Sequence, residues 1–254
     1  MALWSELKQF DLQFDATVEG NGAWASTLVP MQYLSDGGGD REGYTDGCLI
    51  PTMIGNEYGQ IKGQRYYLSG IHIRFTAHVN SLANETIVDQ ACKIRAVLIM
   101  DTQPQGTQVS EGNCFETFGP GEDNFMAFRN TAKRGKRFRF LMEEVKILQP
   151  TVTATEDSNG STSGMHTGDA PSVTVSESTS TDYEHSIGYE TAVFDFDWKT
   201  KREILVSVSA VGNSSHSVEH VESHNIFLCV MCMRDDEVIE TFLKGCCRTY
   251  YYDN

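Results

Sequence analysis

The stretch that decides the fold is Ala91–Thr107, ACKIRAVLIMDTQPQGT. Ile94, Ala96, Leu98 and Met100 fall on one face of an extended chain. Lys93, Arg95, Val97 and Ile99 fall on the other, so the period-two pattern turns apolar on both faces toward its end. A strand of this kind is buried on both sides in the middle of a sheet, and the rest of the chain must supply its neighbours. Asp101, Pro104 and Gly106 end it, because they tolerate or impose the dihedrals of a chain leaving a sheet.

Working outward, the same alternation recurs. Phe10, Leu12, Phe14, Ala16 and Val18 alternate with Asp11, Gln13, Asp15 and Thr17, which predicts a half-buried strand over 6–18. Ile71, Ile73, Phe75, Ala77 and Val79 mark a second strand over 64–80. Residues 136–149 alternate through Phe138, Phe140, Val145, Ile147 and Leu148, with a phase slip near Met142–Glu144 that reads as a bulge. Four later segments, 189–198, 202–211, 225–234 and 246–253, are strand-like in their aromatic and β-branched content. Between them, 20–58 reads as a long loop excursion, and the aromatics of 111–132 predict one or two short helical turns. Residues 151–182 hold 15 Ser or Thr among 32, which marks a surface insertion. Eight strands with no βαβ rhythm predict an all-β fold: an eight-stranded antiparallel jelly-roll β-sandwich with long loops.

A chain of 254 residues can bury a substantial core as one domain, 1–254. Its 20 Lys and Arg against 35 Asp and Glu give a formal charge of -15, which argues against a surface that clings to phosphate everywhere. Contact with nucleic acid must therefore be local. The first residues lack the basic head and apolar core of a secretory leader, and the longest apolar run, 226–233, is too short to span a bilayer, so no membrane insertion is expected. Seven Cys at irregular spacing suggest reduced thiols, and the sequons at Asn84, Asn159 and Asn213 read as chance matches.

Six stretches in order, ELKQFDLQF (6–14), IKGQRYYLSGIHIRF (61–75), KIRAVLIMDTQPQGT (93–107), KRFRFLMEEVKIL (136–148), NIFLCVMC (225–232) and CRTYYYDN (247–254), resemble the capsid proteins of circular Rep-encoding single-stranded DNA viruses, the circovirus-like group. The resemblance covers most of the chain apart from 20–53 and the Ser/Thr insertion. It implies a non-enzymatic virion protein that assembles with copies of itself into an icosahedral shell around a genome of single-stranded DNA, with a host receptor as a further partner. Such proteins usually begin with a long arginine-rich arm, whereas this chain enters its first strand almost at once. Either that arm has been removed or the genome is bound otherwise, so the departure weakens the expectation of direct packaging by this chain and leaves that of shell formation.

The dense positive cluster is Lys133, Arg134, Lys136, Arg137 and Arg139, joined as nucleic-acid candidates by Lys199, Lys201 and Arg202. The competing reading is a strand edge kept from aggregating by its charge. Asp36, Asp40 and Asp46, with Glu42, lie in a glycine-rich loop and are candidates for a divalent cation at a subunit boundary, although the helix-loop-helix frame of a calcium loop is missing. A solvated acidic loop is the simpler reading, and no other cofactor is indicated. HSVEH at 216–220 matches a zinc-protease spelling, but the segment lacks the apolar stripe of the helix that such chemistry needs, so a polar loop is expected. Cys229 and Cys232 point to opposite faces if their segment is a strand, as do Cys246 and Cys247, which favours core filling over a zinc knuckle. The alternative function is a carbohydrate- or receptor-binding jelly-roll module using Trp24, Tyr33 and Tyr44; a third is a cupin-like metallohydrolase using His216, His220 and His224.

Overall fold

The computed structural model describes residues 6–20, 24–29, 49–81, 92–104, 109, 111–116, 137–153, 186–189, 191–209, 218–233 and 239–253. In order these form β1 (Leu7–Gly20), β2 (Trp24–Val29), β3 (Arg65–Ser81), β4 (Cys92–Asp101), the single turn α1 (Glu111–Cys114), β5 (Phe138–Leu148), β6 (Pro150–Thr153), β7 (Ser186–Tyr189), β8 (Ala192–Val208), a 3-10 turn (Val218–His220), β9 (Val221–Ser223), β10 (Asn225–Met233) and β11 (Ile239–Asp253).

One sheet runs β1-β11-β3-β8, with β7 and β6 extending it beside β3 and β9 pairing with β8. The other runs β2-β10-β4-β5. Each sheet interleaves strands from the two ends of the chain, as happens when one long antiparallel hairpin is rolled on itself. This is the order of an eight-stranded jelly roll.

β4 is the middle strand foreseen from the sequence, paired with β10 on one side and β5 on the other. Every residue from Ile94 to Asp101 is buried. Ile94, Ala96, Leu98 and Met100 enter the core between the sheets, and Val97 and Ile99 enter a second cluster on the outer face with Val109, Cys114, Phe115, Phe138 and Phe227. The segment around α1 therefore covers the far side of the second sheet.

The eight strands differ in detail from those expected. Residues 189–198 and 202–211 were expected as two strands, but most of both lies in β8, which bulges between them instead of ending. β2 lies inside the segment read as loop; only six residues long, it is bounded by glycines and by Pro30. β6 takes the first residues of the Ser/Thr-rich segment, whose remainder lies outside the described residues. The phase slip in β5 is real and falls at Leu141, where Met142 pairs with Leu98 and Phe140 with Ile99. β11 starts seven residues earlier than expected.

Between the sheets, Phe75 stacks on Phe194 at 4.7 Å between ring centroids and stands 6.1 Å from Phe14. Gly245 makes this possible. It pairs with both Phe14 and Phe75 across the strands, and a Cβ there would lie 2.4 Å from the Phe75 Cβ. Residues 49–61 close one end: Leu49 O accepts from Thr249 Oγ1 at 2.5 Å, and Tyr251 OH donates to Gln60 O at 3.0 Å.

Candidate nucleic-acid interface

The eight basic candidates separate. Lys133, Arg134 and Lys136 lie outside the described residues, as do Asp36, Asp40 and Asp46. Arg137 is not part of a cationic surface. It is buried, and its guanidinium makes two 2.7 Å hydrogen bonds to the equally buried Asp101 carboxylate. That bond holds the Arg137 proton more tightly than usual. Gln103 N also donates to Asp101, and Thr102 donates to Arg137 O through both its N and Oγ1, so the pair ties the exit of β4 to the start of β5. The charge pattern of the basic cluster hid this role, because a run of Lys and Arg shows nothing of which member meets a buried carboxylate.

Arg139 is exposed on β5, in the second sheet. Lys199, Lys201 and Arg202 are exposed together on β8, in the first sheet. Their setting is a bulge. Lys199 pairs with Gly70 and Ile204 with Leu68, so residues 200–203 stand opposite Ser69 alone and project from the sheet. Thr200 Oγ1 bonds to Arg202 O and accepts from Arg202 N at 3.1 Å, which makes the projection a tight turn. A Cβ on Gly70 would lie 2.8 Å from Trp198 O, so glycine lets the two backbones approach beside the bulge. Lys199 has Asp197 at 3.1 Å, an exposed pair of the weak kind.

The middle of the first sheet's outer face is a lattice of paired charges. Arg248 grips Asp11 at 2.6 and 2.7 Å, and that grip holds the Asp11 carboxyl below its usual range despite partial burial. Arg74 and His72 both reach Asp195, at 2.6 Å each, and lower its pKa, Arg74 more strongly. Lys244 and Cys246 are exposed in the same face.

At one end this lattice gives way to a row the sequence did not reveal. Leu7 pairs with Tyr252, Tyr252 with Tyr67, and Tyr67 with Leu205, one residue from each of β1, β11, β3 and β8 at a single level. Their chain neighbours Tyr66, Leu68, Tyr251 and Val206 are buried, so the row faces outward; Leu7 is 52% and Leu205 38% exposed. Tyr250 is the next outward residue of β11, and Tyr58, 66% exposed, leans over Asp11 through a 2.9 Å hydrogen bond.

The other sequence motifs resolve as follows. His220 ends the 3-10 turn, His224 has a left-handed backbone (φ 56°) and places Nδ1 3.0 Å from Leu205 O, and His216 lies outside the described residues. Among the described residues no group of three ligands could hold a metal ion. Cys232 joins the core and Cys229 the outer cluster, as the strand reading requires; Cys247 is buried, but Cys246 is exposed and fills no core. Trp24 lies in β2, while Tyr33 and Tyr44 are outside the described residues.

No family model matches the sequence, and no curated protein matches it. Among solved structures, the chain path is similar to that in "Crystal structure of 60-mer BFDV Capsid Protein", with 10% sequence identity, a TM-score of 0.32, and coverage of 98% of this chain and 93% of that one.

Proposed function

We propose that this protein is a structural subunit of a viral capsid, which assembles with copies of itself into an icosahedral shell enclosing a single-stranded DNA genome. One observation carries the reading. The six stretches that resemble circovirus-like capsid proteins fall, in order, on β1, β3, β4, β5, β10 and β11, six of the eight strands that make the jelly roll. Fragments of similarity scattered by chance would have no reason to coincide with the framework of one fold.

In this role the sandwich is a rigid brick, and its work is to bury surface repeatedly under rotational symmetry. The genome-facing charge is local: Arg139 and the β8 bulge, together with Lys133, Arg134 and Lys136, neutralise phosphates on a chain that is acidic overall. Asp36, Asp40 and Asp46 are the carboxylates that a divalent cation would draw together between subunits. The test is the mass of the purified protein by light scattering. A closed assembly of many 28.3 kDa subunits is expected, and a monomer at every concentration and salt tried would overturn the proposal.

A further inference from the structure

We infer that the outward row Leu7–Tyr252–Tyr67–Leu205, with Tyr250 and the cationic bulge of β8 beside it, is a stacking platform for single-stranded nucleic acid. The inference rests on the reading of this chain as a subunit that encloses nucleic acid, and it names a surface that would do the binding.

Three features point to that ligand. First, aromatic and aliphatic side chains stand shoulder to shoulder across four strands, a width of about 15 Å at the usual strand spacing. A four-stranded sheet with outward aromatics can stack two or three unpaired bases, and base faces stack on tyrosine whatever their sequence. Second, the positive charge lies where a backbone would run. On β3 and β8 at this end, the exposed cations Arg65, Lys199, Lys201 and Arg202 stand against two exposed carboxylates, Asp197 and Glu203, whereas the whole chain carries -15. Third, the platform is held rigid. Leu205 O is fixed by Ser223 Oγ and His224 Nδ1, and each outward tyrosine adjoins a buried partner, Tyr66 or Tyr251, whose rings meet edge to face at 5.3 Å. A duplex keeps its base faces inside its own stack, so only single strands can use the tyrosines.

The experiment is a fluorescence-anisotropy titration of a labelled oligo-dT of about 12 nucleotides into the purified protein. Wild type is expected to bind it, and to bind a duplex of equal length more weakly. Tyr67→Ala with Tyr252→Ala should weaken binding about tenfold or more, while Tyr→Phe at both positions preserves it, because the ring and not the hydroxyl stacks. Lys201→Ser with Arg202→Ser, confined to the exposed bulge, should lower affinity and flatten its salt dependence. Should the double alanine variant fail to fold, photocrosslinking of iodouracil-substituted oligo-dT to wild type decides the matter: crosslinks at Tyr67, Tyr250 or Tyr252 support the platform, and crosslinks at none of them overturn it. Unchanged affinity in a folded double alanine variant also overturns it, whether or not that variant loses particle formation; loss of particles alone would make the row a contact between copies. Particles that form normally while wild type ignores oligo-dT would remove the platform and leave the shell, and the converse would remove the shell and leave the platform.

Discussion

Asp101 and Arg137 share a site from which water is largely excluded, and there a lone charge is costlier than a pair. Arg137→Ala is expected to cost about 3–5 kcal/mol in urea unfolding, because it strands the carboxylate. Replacing both residues with apolar ones of similar size should cost clearly less, and equal losses would show that the pair acts some other way. Gly245→Ala puts a methyl into the contact with Phe75 and should cost about 1–3 kcal/mol, read as a lower melting temperature. The outer charge lattice makes a prediction about pH. Asp195 and Asp11 titrate below their usual range in the folded chain, so the stability they add is present above the ordinary carboxylate pKa near 4 and is lost as pH falls through their lowered values. The urea midpoint of wild type should therefore approach that of Asp195→Asn as pH falls below the ordinary carboxylate range; a gap between the two that does not shrink with acidification would contradict the pairing.

At the scale of the element, bulges explain what could be read from the sequence and what could not. β4 was legible because burial on both sides leaves a double apolar signature, and Cys229 and Cys232 were legible because a strand must send them to opposite faces. The tyrosine row was not. Alternation carried back from Ile73 and Ile71 would put Tyr67 in the core, but the extra residue at Ser69 reverses the phase, so that Leu68 and Tyr66 point in and Tyr67 points out. The same geometry made one strand look like two in β8, and β2 was too short and too closely flanked by glycine to stand out. Deleting Ser69 removes only the extra residue and leaves Leu68 and Tyr66 pointing in and Tyr67 out, so charge is the sharper probe: Leu68→Asp should be severe and Tyr67→Asp tolerated. Deleting Lys201 and Arg202 together leaves the phase of β8 intact and should be tolerated. Thermal unfolding compares these variants, and equal losses from Leu68→Asp and Tyr67→Asp would refute the register argument.

For the whole molecule, the proposed shell has to bring together copies that each bear a charge of -15. Their mutual repulsion is long-ranged and screened by salt, so the yield of assembled particles should rise from low ionic strength to about 0.5 M. Nucleic-acid binding by Arg139 and the β8 bulge should respond in the opposite sense, since phosphate contacts weaken as salt rises. These opposed dependences separate shell formation from cargo capture within one titration. The most direct measurement is negative-stain electron microscopy of the purified protein across that salt range. A subunit of this length is about 5 nm across. Closed, uniform particles several subunits wide are expected. Isolated subunits, or small rings that never close, under every condition would contradict the proposed shell.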